Sequence, residues 1–539
     1  MKALLRKADF NMVMIMSYDV RNEGKITEPV KVNEKIRYNR DYIKKRFNVP
    51  LNNDVVVREI LLMDSAEAFI VFYDGMSDIK SINEGIIRSL LEIPYIANKK
   101  TLGREIEKSF ISHAQAMRSS DMDEICEEIN FGSCALFVDG IDEAFVLDVR
   151  KWATRSIDKP ENEQSIYGPQ EAFAEMMRTN TALVRKIIKT ERLIAEGVKI
   201  GNVSKTRGVL LYLDGVVNEG LLKEVRRRIN SLDIDYINAS EEVGLLLEES
   251  SLLASSQIMY TERPDRAARL ICEGRVIFIL NGSPHALIFP TTVFEVLNGV
   301  SDPYMRVPYA NLSRAIRLAA LFFAVLLPGI YLAITLYHHE LIPTYLLYSI
   351  SAARENVPFP SIIELLLMDI SFEMIREAGL RMPSAIGSPL GIVGGLILGQ
   401  SAVSAEIVSP IMIIVIAITG IGSFAVTDYS TSWTTRLLRV GYIILGATVG
   451  LYGIAMGIFL YAALLCAQKS FGVPFIAPMP KVNNRGMTSS VFENEIWKRE
   501  LRPGFLRARR KRTESRISRK WDIKNKDINV SRETFGEEK

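Results

Sequence analysis

Four carboxylates stand in a stretch that is otherwise largely apolar: Glu364, Asp369, Glu373 and Glu377, within Pro358–Leu380. Asp369, Glu373 and Glu377 follow at four-residue steps and share one face of a helix, with Glu364 well round from them. Acids beside lipid are costly and are kept near water, a partner or a passing ion. The pattern predicts a re-entrant or pore-facing helix, sheltered by neighbouring helices. Ile362 and Ile363, two β-branched apolar residues before Glu364, could form a hydrophobic constriction beside it. Two structural alternatives compete: an interfacial helix with its charges among headgroups, or a packed bundle in which Arg376 and other cations neutralise the acids.

Other reactive residue types point to no enzyme. Apolar runs end in Asp74-Gly75, Asp139-Gly140, Asp214-Gly215 and Asn281-Gly282. A nucleophile would not tolerate Asn281, and neither converging carboxylates nor a phosphate-cradling glycine loop accompanies them, so they read as turns. Cys126, Cys134, Cys272 and Cys466 lack metal-ligand spacing and fit a reduced compartment. The adjacent His338 and His339 point apart on most backbones. No catalytic residue, metal or cofactor is predicted.

The elements that must position these residues differ between the two halves. Up to about residue 310 charges are scattered as in a soluble protein. Leu318–Leu336, Gly387–Ala405, Ile407–Thr427 and Val440–Ala467 then contain no Asp, Glu, Lys or Arg. Each approaches the roughly 20 residues a membrane crossing needs. Met1–Phe10 shows no signal peptide. Arg306, Arg314 and Arg317 before the first span, and eleven Lys/Arg against two Glu in Lys498–Lys520, predict both termini cytoplasmic and four crossings. Pro358–Leu380 is read as a re-entrant or pore helix. Gly387, Gly391, Gly395 and Gly399 form a small-residue face suited to close helix packing.

The soluble half repeats itself. Gly132, Asp139, Gly140 and Ala144 align without gaps on Gly274, Asn281, Gly282 and Ala286. Asp-Gly and Asn-Gly between apolar runs predict tight type I′ hairpins. The fold class is therefore α+β and multi-domain: two repeated α/β cytosolic lobes followed by an all-α membrane domain. The boundaries are 1–195 (lobe 1 with a helical connector), 196–303 (lobe 2), 304–480 (membrane domain) and 481–539 (basic tail). Between and within the lobes, Arg155–Phe173 and Tyr260–Asp265 read as helix starts and surface connectors, or as a docking surface.

Those last stretches, with Asn180, Pro303–Pro308, Pro358–Gly379, Arg381–Gly399, Gly420–Leu438 and Ala477–Pro480, carry a resemblance over nearly the whole chain. The sequence resembles the A subunits of GerA-type spore germinant receptors. Thr427 and Lys481 stand where proline is expected. The resemblance marks Arg155, Gly168, Pro169, Glu171, Phe173, Asn180, Glu262, Arg263, Pro264 and Asp265 as family-motif positions and interface candidates. It implies a spore inner-membrane protein with both termini on the core side. Its partners would be a transporter-like B subunit, a lipoprotein C subunit and further copies of itself in a ring that gates monovalent cations. No nucleic acid is implied. A paralogue that amplifies ion release in germination is the alternative within the family. A secondary transporter would need paired inverted repeats that are not seen.

Overall fold

The computed structural model describes residues 30–62, 66–91, 116–151, 159–160, 163–250, 255–381, 394–395, 397–425, 429–478 and 492–513. The chain divides into two compact units, one of Met1–Arg46 with Val55–Lys151, the other of Phe47–Asp54 with Trp152–Lys539. The division at 151 differs from the expected boundary near 195. Helix α4 (Met177–Ile187) packs its Leu183 and Val184 into the second lobe's core, so the expected connector belongs to that lobe.

The first unit is a five-stranded antiparallel sheet of β1 (Val55–Leu62), β2 (Ala66–Tyr73), β3 (Ala116–Ser119), β4 (Cys134–Val138) and β5 (Ala144–Leu147), in the order β1-β2-β4-β5-β3. Helices α1 (Ile36–Arg46) and α3 (Met122–Phe131) pack on the sheet. The helical stretch α2 (79–91) packs Ile82, Ile86 and Leu90 against Ile70, Phe72, Leu136 and Phe145. Strands β4 and β5 are buried at every residue, as central strands covered on both faces must be.

The second lobe has the same order, β6-β7-β9-β10-β8. Its strands are β6 (Leu193–Ile200), β7 (Thr206–Leu213), β8 (Met259–Thr261), β9 (Val276–Leu280) and β10 (Ala286–Phe289). Helices α5 (Glu219–Asn230) and α6 (Ser240–Leu247) cover Leu210, Phe278 and Phe289 on one face. Helices α4 and α7 (Pro264–Glu273) cover Leu211, Ile277 and Ile288 on the other.

The repeat extends to side-chain detail. Asp139 Oδ1 accepts from the Ile36 N–H that opens α1, and Asn281 Oδ1 accepts from the Met177 N–H that opens α4. Gly140 and Gly282 donate their N–H to Glu34 and Glu175 carbonyls. Asn39 and Asn180 each bridge back to the main chain before their own helix, at Asn33 and Ala174. These tasks explain why the hairpins are not type I′. Gly140 and Gly282 have positive φ, Asp139 and Asn281 do not, and both links run five residues, 139–143 and 281–285. The acceptor is aimed at a helix start, a task Asp and Asn share.

Beyond a short helix α8 (Val293–Leu297), the second unit continues as helices: α9 (Val307–Tyr337), α10 (Thr344–Arg354), α11 (Ser361–Arg381), a helical run at 397–404, α12 (Pro410–Phe424), α13 (Tyr429–Val449) and α14 (Leu451–Ala467). Among the described residues α9, with hydropathy 2.3, is the one helix long and apolar enough to cross a membrane, and α12 and α14 are apolar but shorter. The stretch Val440–Ala467, expected as one span, is two helices. Gly450 breaks it at φ 71 and ψ −148, a region closed to residues with a side chain. The chain then folds back, placing Gly457 against Tyr442 and Gly453 against Leu445. Helices α9 and α13 run parallel and close together, because a Cβ on Gly329 would stand 2.5 Å from the Tyr442 carbonyl oxygen.

One buried ion pair ties an early segment into the second unit. Arg185 of α4 donates to both Asp54 carboxylate oxygens, at 2.5 and 2.8 Å, to Asn52 Oδ1 at 2.9 Å and to the Leu193 carbonyl at 3.0 Å. Asn53 donates its N–H to the Ala195 carbonyl, which covers part of edge strand β6. Both charged side chains are essentially excluded from water, at 3% and 1% exposure. Removing one partner strands the other, so Arg185→Ala should cost about 3–5 kcal/mol in denaturation of the solubilised full chain, and Arg185→Met with Asp54→Leu should recover most of it. A loss under about 1 kcal/mol, the scale of an exposed pair, would contradict this burial.

Candidate functional site

Two groups of chemistry-bearing side chains are assembled in the second unit. The first gathers the motif residues of the second lobe. Pro264 opens α7 at its first turn, where its missing N–H costs nothing. Arg263, just before it, is wholly buried and pairs with Asp265 at 3.0 Å. Its guanidinium also donates to the carbonyls of Pro169, at 2.6 Å, and Glu163, at 3.2 Å. Tyr304 donates its hydroxyl to Asp265 at 2.5 Å, and its ring lies over Gly168, whose φ of +97 and lack of a Cβ make room for it. Phe173, buried, donates its N–H to the Glu262 carbonyl at 2.7 Å, and Glu171 pairs with Lys186 at 2.6 Å. The motif stretches 163–173 and 260–265 thus form one network around the Arg263 guanidinium. Arg155 lies outside the described residues.

Sequence reading missed three members of this network, Glu163, Glu241 and His285. Glu163 accepts from Thr261 Oγ1 at 2.6 Å and pairs with Arg266. His285, in the β9–β10 link, sits between Glu241, at 2.7 Å, and Glu262, at 3.1 Å. Hydrogen bonds to these two carboxylates push its pKa up to about 9. No periodicity signals this, since the three residues come from separate elements.

The second group is the acidic helix. Glu364 is fully buried at the start of α11 and accepts from Ser409, from its N–H at 2.6 Å and its hydroxyl at 2.5 Å. Glu364 Oε2 has no hydrogen-bond partner among the described residues, and the Arg354 guanidinium stands 3.8 Å away. Ile362 packs into the helix core with Leu332, Leu365 and Met412, whereas Ile363 faces outward at 46% exposure. Four and eight residues on from Leu365, Asp369 and Glu373 meet α13. Arg439, itself 2% exposed, pairs with Asp369 at 3.2 Å and with Glu373. Glu373 also pairs with Arg376 and stands 3.7 Å from Arg436. Arg376 donates to Ser423 of α12 at 3.0 Å, and Arg436 stacks on Trp433. Glu377 lines an open cleft with Asp369, Glu373, Arg436 and Arg439.

Asp369, Glu373 and Glu377 are therefore brought together with Arg376, Arg436 and Arg439, while Glu364 stands apart from them beside Ser409 and Arg354. Arg436 and Arg439 are three residues apart, a helical spacing that could have matched them to Asp369 and Glu373. They were passed over because they precede an uncharged stretch. Of the glycine face, Gly387 and Gly391 lie outside the described residues, a Cβ on Gly395 would meet nothing within 4 Å, and one on Gly399 would meet Ile413 at an ordinary contact distance of 3.9 Å. Close helix contact is made instead at Gly329, Gly422 and Gly446. Arg314 and Arg317, counted as flanking charges, are engaged by Asp302, and Arg314 also by Glu493.

A model of the family described as Bacillus/Clostridium GerA spore germination protein matches residues 41–505. The chain is similar to spore germination protein KA of Bacillus subtilis (strain 168), 36% identical over 88% of this chain and 87% of that one. It is 33% identical to the uncharacterized membrane protein YfkQ of the same organism, over 84% of this chain and 88% of that one. It is also 33% identical to spore germination protein GerLA of Bacillus cereus, over 79% and 87%. The crystal structure of the N-terminal domain of the A subunit of the Bacillus megaterium spore germinant receptor GerK3 aligns at 26% identity. It covers 49% of this chain and 97% of that one, with a TM-score of 0.36.

The His285 pair yields a pH dependence. A folded-state pKa raised from 6.5 to about 9 means that protonated His285 stabilises the fold. That contribution is complete below the unfolded pKa and is lost as pH rises through the folded one. Stability of the full chain should fall between pH 6.5 and 9 more steeply than in His285→Gln. Parallel curves for the two proteins would refute the assignment.

Proposed function

The chain belongs to the GerA family of spore germination proteins, and from that premise we propose that it is the A subunit of a spore nutrient-germinant receptor. In this reading it is an integral protein of the spore inner membrane. It assembles with copies of itself in a ring, and with a transporter-like B subunit and a lipoprotein C subunit. On germinant binding to the complex it opens a pathway for monovalent cations, and the resulting ion flow triggers germination.

The observation that carries the reading is the burial of Glu364 and Asp369, with Glu373 half-buried beside Asp369, on a helix packed among apolar helices. Charges at such depth are retained where they serve ions or one another. Here arginines neutralise Asp369 and Glu373, which supports assigning those two a role in holding the bundle. Glu364 keeps one carboxylate oxygen without a hydrogen bond, with the Arg354 guanidinium 3.8 Å from it, and beside it Ile363 faces out of the single chain. That pairing favours Ile363 as the constriction facing the ring axis and Glu364 as the acid that tunes the field there. Glu377, on the open cleft, is the further lining candidate.

The order of helices supports both termini on one side. Helices α9 and α13 run one way and α11, α12 and α14 the other, judged from Glu364 with Ser409, Phe372 with Gly420, and Gly422 with Ala320.

Ion flux through the assembled complex in liposomes tests this reading. Glu364→Gln should lower cation conductance, and Ile363→Ala should leak without germinant, whereas Ile362→Ala should disturb packing more than gating. Normal conductance, selectivity and gating in both Glu364→Gln and Ile363→Ala, at normal protein levels, would defeat the pathway.

A further inference from the structure

The two lobes are built alike, yet one groove is filled differently in each. In the first lobe the chain leaving β5 lies in the groove beside α3. Lys151 donates its N–H to the Met76 carbonyl at 2.9 Å, and Arg150 covers Gly132, the left-handed residue that ends α3. The equivalent groove of the second lobe lies between Val216 and Gly274, which ends α7 in the same conformation. The chain leaving β10 does not fill it. After Phe289 it turns away, and Thr291 donates its N–H to Ser470 Oγ at 3.1 Å.

A segment from more than two hundred residues downstream takes its place. Arg509 donates its N–H to the Val216 carbonyl at 3.0 Å, and Ala508 lies against Gly274. Asn218 donates from its side-chain amide to the carbonyls of both Leu506 and Arg507, at 3.3 Å. Arg502 reaches the Cys272 carbonyl at 2.7 Å, and Phe505 and Leu506 are buried with Ala477. Main-chain hydrogen bonds with side chains in pockets are the means by which grooves recognise extended peptides. Just upstream the same segment is tied to the first long helix. Asn311 and the Glu493 backbone exchange two hydrogen bonds, at 2.7 and 3.1 Å, and the Glu493 carboxylate pairs with Arg314 and Arg499.

We infer that residues 493–513 are a peptide strap: they occupy a recognition groove on the second lobe and tie that lobe to the base of helix α9. The sequence read this region as a basic tail. Its described part completes the lobe, standing where residues 149–151 stand in the other. A displacement of the lobe must then pull on Asn311 and Arg314, and a displacement of α9 must pull on the groove. Such coupling is reciprocal between its two ends.

Hydrogen–deuterium exchange on the purified full chain tests this. Ala508→Glu, which forces a charge against Gly274, should speed exchange about ten-fold not only at 216–222 and 270–275 but also at 308–317. Glu493→Gln, a milder change at the other end, should speed exchange at 216–222. Added to the full-length Ala508→Glu variant, a synthetic peptide of the native residues 499–513 should bind and restore protection at 216–222. Faster exchange confined to the mutated end in both variants would overturn the coupling. Failure of the peptide to bind would overturn the groove.

Discussion

Arg439 fixes what the helical region can be. Its guanidinium is almost completely enclosed among apolar helices, and a charge in such a place is stable only if opposite charges are held there with it. Asp369 and Glu373 of α11 supply them, which sets the rotation of α11 against α13. Arg376 then turns toward Ser423 and fixes α12 in the same register. Close approach of α9, α12 and α13 at Gly329, Gly422 and Gly446 adds packing area that larger residues would prevent. The placement of Glu364 at Ser409 follows, because α11 and α12 are then aligned along their whole shared length.

The lobes depend on a different economy. The second lobe is completed by residues that are distant in sequence: Asn52–Asp54 on the edge of β6, and 501–513 in the groove beside α7. Duplicated architecture makes these substitutions visible, since the first lobe shows how the same groove is filled locally. The motif network around Arg263 has a related logic. A wholly buried guanidinium, satisfied by two carbonyls and Asp265, holds the chain at Pro169 against the start of α7.

Much of this was legible in the sequence, and the rest was not for identifiable reasons. The Asp139 and Asn281 repeat located both hairpins and the duplicated lobe, because short-range patterning determines them. It misread the turn type, because the role of Asp139 is to receive the N–H of Ile36, about a hundred residues away. Asn180 was picked out by resemblance alone, and its partner Asn39 shows that its work is to fix the entry to a helix. Uncharged length merged α13 and α14 into one span, since composition does not report the positive φ of Gly450. The acidic spacing of α11 was plain, but its partners were not. Charge pairing between helices is a tertiary fact, and Arg436 and Arg439 sit more than sixty residues from the acids they meet.

The helix bundle depends on one ionic unit in which buried Asp369 and Arg439 are joined by half-buried Glu373. A double-mutant cycle on Asp369 and Arg439, read by denaturation of the solubilised full chain, tests it most directly. If the account is right, Asp369→Asn and Arg439→Gln are each destabilising, and together cost less than their sum by about 1–3 kcal/mol. Additive effects of the two substitutions, with a coupling indistinguishable from zero, would contradict it.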